Sequence, residues 1–212
     1  MIRKLKSYWT FTGTVYKLIL CVLIPVIVIG FGAFIGRELV FPAELFIMEM
    51  LPMIEVVADY WVFGGITSKK TERLEYLKTS KHGIRLLKDA VIGDTICILL
   101  QQFIITLAVH ILTGPAAWEK SSNKTIMIVL SFCVAFFFTM LGITVSRFFT
   151  LLQINWLIAY AASMATAIMA LFGMKCPYVA CGIFFLLGIG ISIGSVFLVM
   201  KRTKESYYDK AD

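Results

Sequence analysis

The chain of 212 residues is 59% hydrophobic and only 16% charged, with a net charge of +7 and a mean hydropathy of +0.87. Soluble domains are about 45–50% apolar and about 25% charged; here the apolar excess lies in blocks of roughly twenty residues, the helical length that crosses about 30 Å of hydrocarbon. These figures exclude a soluble enzyme, a disordered tail protein and a single-pass anchor, and no stretch between blocks reaches the ~50 residues of a soluble domain.

At the start, Ile2, Leu5, Tyr8 and Trp9 alternate with Arg3, Lys4 and Lys6. This pattern suits a short amphipathic helix on the inner leaflet, or a basic tail flanking the membrane. The first apolar block, 15–35, is too long for a signal peptide, and no small-residue cleavage site follows it before Arg37, so it is read as a retained span. The second, 43–66, is more polar and contains Pro52. After the hydrophilic stretch 67–88 come spans over 90–112, 125–145, 152–174 and 178–200, with a Gly114-Pro115 turn after the third and a polar tail from Lys201. The predicted fold is all-α: one transmembrane domain, 1–212, of six helices, with an amphipathic N-terminal helix and a short cytoplasmic helix between spans two and three.

Lysine and arginine set the orientation. Sixteen of the 20 fall in the N-terminal segment, the loop between spans two and three, the turn at Arg147 and the tail; Arg37, Lys120, Lys124 and Lys175 fall on the other side. Both termini and the long loop are therefore expected in the cytoplasm. Because the cations sit beside span ends, the net charge reflects topology and not nucleic-acid binding.

The loop reads TSKKTERLEYLKTSKHGIRLLKD. Glu72, Arg73, Glu75 and Lys78 alternate in sign, and Leu74 and Leu77 share a helical face. Thr79-Ser80 break the pattern, and Gly83 permits a bend before Ile84, Leu86 and Leu87. On pattern alone this is either a solvated basic loop or a helix on which another protein pushes. Taken with six spans and an amphipathic start, the loop resembles that of the membrane subunit of ABC-2 type exporters. Glu72, Leu74, Glu75, Leu77, Ser80 and Leu87 stand in places comparable to that family's E-x-L-x-x-S-P loop, while Lys81 replaces its proline.

The resemblance implies a coupling helix that docks on an ATPase subunit. Its contacts would be Glu72, Glu75, Ser80, Lys81, His82, Gly83, Ile84, Arg85 and Leu86, with a smaller one at Arg147. It also implies two permease units, identical or related, and an ATPase dimer carrying ATP and Mg. The chain has no Walker A sequence of its own: the run from Gly64 to Thr71 lacks the glycine before the lysine. No cofactor is expected in the chain.

Carboxylates within a span cost about 2.5–3.5 kcal/mol each on insertion scales, so Glu49, Glu55 and Asp59 in the second span should face protein or water. Glu55 and Asp59, four apart, share a face. They either line a substrate pathway or pair with cations such as Lys88 and Arg85. Gln101, Gln102, Gln153 and Asn155 suit interhelical hydrogen bonds, and Gly190 and Gly194 suit close helix packing, within the subunit or across a dimer. Five cysteines without C-x-x-C, and isolated His82 and His110, argue against a disulfide framework or a metal site.

The leading expectation is a permease of an ATP-driven exporter for an amphipathic substrate, a peptide or lipid-like molecule, in a bacterial plasma membrane. The alternative is an ion-coupled or ATP-independent carrier, or a substrate-capture subunit, using Glu55 and Asp59. An intramembrane enzyme ranks last, since H-E-x-x-H and G-x-S-x-G are both absent.

Overall fold

The computed structural model describes residues 2–12, 17–38, 43–67, 79–80, 82–113, 124–147, 149, 151–173 and 175–208. Every regular element among them is helical. We number them α1 (Ile2–Phe11), α2 (Ile24–Glu38, preceded by a π-helical turn Ile19–Leu23), α3 (Ala43–Thr67), α4 (Gly83–Thr113), α5 (Lys124–Ser146), α6 (Leu152–Gly173) and α7 (Pro177–Tyr208). The π turn closes with the Ile24 N–H on the Ile19 carbonyl and stands just before Pro25. A proline has no N–H to give back to the preceding turn, and one extra residue per turn absorbs that mismatch.

Four helices are long and apolar enough to cross a membrane: those containing Gly83–Leu112, Ile128–Ser146, Leu152–Met169 and Pro177–Lys201. These correspond to the last four of the six expected blocks. The first block supplies only the shorter apolar stretch Cys21–Phe31. The second, α3, has the length but carries Glu44, Glu49, Glu55 and Asp59.

Two boundaries differ from the expected ones. The short loop helix and the third span form one unbroken 31-residue helix, α4. Beyond Gly83 the sequence offers no proline and only Gly93 as a weak point before Thr113. At the other end, α7 starts with proline at a position where the missing N–H has no partner to lose. It then runs into the polar tail as far as Tyr208.

α5 is the most buried of the four apolar helices and α7 the least. α5 packs on α3, α6 and α7, with Phe136, Met140 and Ile143 meeting Val56, Ile98 and Ala159 in one cluster. In lipid the tails are as apolar as leucine, so close van der Waals fit, and not escape from water, holds such helices together. Gly142 shows the fit: a Cβ there would stand 2.7 Å from Val56 Cγ2 and 3.2 Å from Ala162 Cβ. Gly190 and Gly194 behave differently. A Cβ at either would meet nothing within 4 Å, so neither serves close packing inside the chain; α7 turns Gly188 to α5 instead.

α1 docks on α4. Tyr8 is buried with Val62, Phe63, Leu87, Ala90, Val91 and Val199, gathering α1, α3, α4 and α7 into one cluster. The two backbones approach so closely that a Cβ at Gly93 would press on the Lys4 carbonyl oxygen and lie 2.9 Å from Tyr8 Cβ. Backbone cannot swing aside as a side-chain tip can, so Gly93→Leu forces α1 off α4. Overpacking of this kind costs about 1–3 kcal/mol. We expect a lower midpoint in detergent thermal unfolding and faster proteolysis within residues 2–12, with Gly190→Leu as the unaffected control.

Candidate functional site

Helix α5 ends at Ser146, and the chain turns back: the Phe149 N–H donates to the Ser146 carbonyl at 3.0 Å. The Ser146 hydroxyl donates to Asn155 Oδ1 at 2.7 Å, tying the end of α5 to the start of α6. Arg147, the first residue after α5, keeps a helical bond from its N–H to the Ile143 carbonyl at 3.1 Å. Its side chain therefore leaves the turn in the direction set by the helix, toward the bundle interior, and the residue is only 4% exposed.

The guanidinium meets three helices. Nε donates to Asp59 Oδ2 at 3.1 Å and Nη2 to Asp59 Oδ1 at 2.5 Å, a bidentate pair with α3. Nη2 also donates to Asp94 Oδ2 of α4 at 2.8 Å. Nη1 donates to the Ser195 hydroxyl of α7 at 3.0 Å. Asp59 lies eight residues before the end of α3 and Asp94 eleven after the start of α4, so these two helices, running oppositely, present their carboxylates at one level.

Phe63, one turn beyond Asp59, places its ring centroid 5.0 Å from the guanidinium carbon, a cation–π contact. The other neighbour of that ring is Tyr8 of α1, at 6.4 Å between centroids. A continuous chain of contacts thus runs from α1 through Phe63 to Arg147, and on to α3, α4 and α7. Glu55, one turn before Asp59, is 3% exposed, and its Oε1 has no hydrogen-bond partner.

The expected site residues divide accordingly. Asp59 pairs internally, with Arg147 and not with Lys88 or Arg85. Arg147, expected on a small outward contact, is turned inward because two buried carboxylates hold it there. Ser80 and His82 are exposed just ahead of α4; Gly83, Ile84, Arg85 and Leu86 form its first turn, with Arg85 exposed and Gly83 buried. Glu72, Glu75 and Lys81 lie outside the described residues, as does the Glu49 side chain.

Sequence reasoning missed Asp94 and Ser195. Asp94 carried a signal: a carboxylate inside an apolar block needs a partner for the same reason as Asp59, and the lone cation of the following short turn was available. Ser195 carried none, since a serine in an apolar helix can satisfy itself locally, as Ser192 does on the Gly188 carbonyl at 2.7 Å.

Elsewhere in the bundle, Gln102 donates to Thr139 at 2.7 Å, an interhelical bond between α4 and α5. The five cysteines are free thiols, and among the described residues no three His, Cys, Asp or Glu side chains are grouped to hold a metal ion.

The fold and this cluster define a class: an all-helical, multi-pass membrane protein whose helices are locked at one end by a buried ionic network. No protein-family profile, curated protein or solved structure matches the chain.

Breaking a buried ion pair by removing one partner costs about 3–5 kcal/mol, whereas replacing the whole set with well-packed apolar groups of similar volume is often close to neutral. Arg147→Met should therefore markedly lower the stability of the folded protein in detergent. Asp59→Leu with Asp94→Leu in the Arg147→Met background should restore most of it, read by size-exclusion profile and unfolding midpoint.

Proposed function

We propose that the chain is the permease subunit of an ATP-driven ABC exporter of the ABC-2 type. In this reading α2 and α3 complete six spans, both termini and the loop of residues 67–88 are cytoplasmic, and α1 rests at the inner leaflet. A second permease, identical or related, forms the translocation path with it, and a separate ATPase dimer supplies ATP and Mg. The cargo is amphipathic, a peptide or lipid-like molecule, and the setting a bacterial plasma membrane. The chain itself performs no catalysis.

One observation carries the reading. The end of the segment that resembles a coupling helix, residues 83–86, forms the first turn of α4, the helix that bears Asp94. Gly83 N–H bonds the Ser80 carbonyl at 3.1 Å and Leu86 N–H the His82 carbonyl at 2.9 Å, which ties Ser80 and His82 to the start of the helix. A push there moves α4 as a rod, about 16 Å of helix separating Gly83 from Asp94. At Asp94 the displacement meets the guanidinium shared with α3 and α7, so the stroke of a partner reaches four helices at once. The cost of a buried charge without a partner makes that cluster hold together or rearrange as a unit.

Purification of the full-length chain from its native membrane tests this. An ATPase subunit should co-elute, and charge reversal by Lys81→Glu with His82→Glu should release it without unfolding the permease. A chain that elutes without any ATPase contradicts the reading.

A second reading, an ion-coupled carrier, is favoured by the unpartnered buried oxygen of Glu55. It predicts that Glu55→Gln abolishes transport in cells while residues 80–82 tolerate substitution. The exporter reading predicts the opposite sensitivity at residues 80–82.

A further inference from the structure

Between α4 and α7 lies an open groove of about 870 Å³. Its mouth and its depth differ in chemistry. At the mouth stand Arg85 and Lys88, three residues apart on one face of α4. Both are exposed, and neither has an ion-pair partner among the described residues. Asp89, the nearest carboxylate in sequence, is buried and does not line the groove.

Deeper in, the walls are Ile92 and Ile96 of α4 and Ile193 and Phe197 of α7. Ile193 and Phe197 are 67% and 71% exposed, which leaves them for an occupant to cover. Two hydroxyls also line this part, yet both are already engaged within their own helices: Thr95 donates to the Val91 carbonyl at 3.2 Å and Ser192 to the Gly188 carbonyl at 2.7 Å. The depth of the groove therefore offers no hydroxyl hydrogen to a ligand. It accepts hydrocarbon only.

Two cations without an ion-pair partner among the described residues, over an apolar slot that begins near the start of a membrane helix, match one occupant: a phospholipid of net negative charge. We infer that the α4–α7 groove is a binding site for an anionic phospholipid. The phosphate sits between Arg85 and Lys88, and one acyl chain lies along Ile92, Ile96, Ile193 and Phe197. From Lys88 to Ile96 is about 12 Å along the helix, within the reach of an acyl chain. The groove volume falls in the usual range for ligand sites of about 300–1,000 Å³. Basic pockets between membrane helices near the surface recognise headgroups in this way. Arg85 then serves the lipid and not the ATPase, leaving residues 80–82 to the partner; the site itself depends neither on the direction of transport nor on an ATPase.

The test uses the full-length chain alone, in nanodiscs of phosphatidylglycerol and phosphatidylcholine in equal amounts, with retained lipid counted by native mass spectrometry after release from the disc. Phosphatidylglycerol should be retained over phosphatidylcholine roughly thirtyfold, from about 1 kcal/mol for each of the two basic residues near the headgroup. Arg85→Gln with Lys88→Gln should erase the preference. Ile193→Trp, which fills the slot but keeps both cations, should lower the retained phosphatidylglycerol. All three positions are at the surface, so the size-exclusion profile should not change. Equal retention of the two lipids overturns the proposal, as does a preference that survives the double substitution. A dimer that Ile193→Trp converts to monomer also overturns it, by assigning the groove to a second copy of the chain. None of these outcomes involves ATPase co-elution, so the exporter reading stands or falls separately.

Discussion

A guanidinium cannot be left alone in a medium without water, and that constraint organises this protein. Arg147 sits at the end of the most buried apolar helix, where bulk solvent does not solvate it. It draws in Asp59, Asp94 and Ser195 from three other helices. Each of those aspartates, equally, would be untenable in an apolar bundle without the arginine. The ions need one another more than the fold needs them: apolar substitutes of similar volume often match or exceed the stability of a buried pair. What the ionic set supplies is a fixed relative level for α3, α4, α5 and α7, which smooth apolar surfaces that slide in lipid do not specify.

The same cluster explains the arrangement at that end of the molecule. Phe63 contacts both the guanidinium and the Tyr8 ring, so α1 is connected to the ionic centre through two successive contacts of that one side chain. Gly93 lets α1 come close enough for this to happen. α4 joins several of these parts: it begins just after the exposed Ser80 and His82, bears Gly93 against α1, contributes Asp94 to the centre, and bonds α5 through Gln102. A force applied to its start has few ways to dissipate before reaching the ions. The exporter proposal rests on that mechanical continuity.

Much of this was legible in the sequence, and the reasons for success and failure are physical. The last four apolar blocks announce themselves by length and hydropathy, because lipid imposes both. Glu55 and Asp59 announce themselves as groups that cannot face lipid. The pairing of Asp59 with Arg147 was not legible: the two are 88 positions apart, and nothing in a periodic apolar pattern specifies which helix stands next to which. Arg147 read as a small contact for an ATPase because the resemblance to the exporter family places one at that turn. The inward direction comes from the helical bond its N–H keeps with Ile143. The small-residue stripe on α7 was legible as a stripe but not as a direction: Gly188 faces α5, while Gly190 and Gly194 face outward.

The central claim is that Arg147 and Asp59 are energetically one unit that fixes the bundle. A double-mutant cycle with Arg147→Met, Asp59→Leu and the double variant, read by reversible unfolding in detergent, measures it most directly. The account predicts a coupling of about 1–3 kcal/mol, with the double variant clearly more stable than the sum of the single losses allows. Additivity within about 0.5 kcal/mol, the behaviour of distant and independent sites, would contradict it.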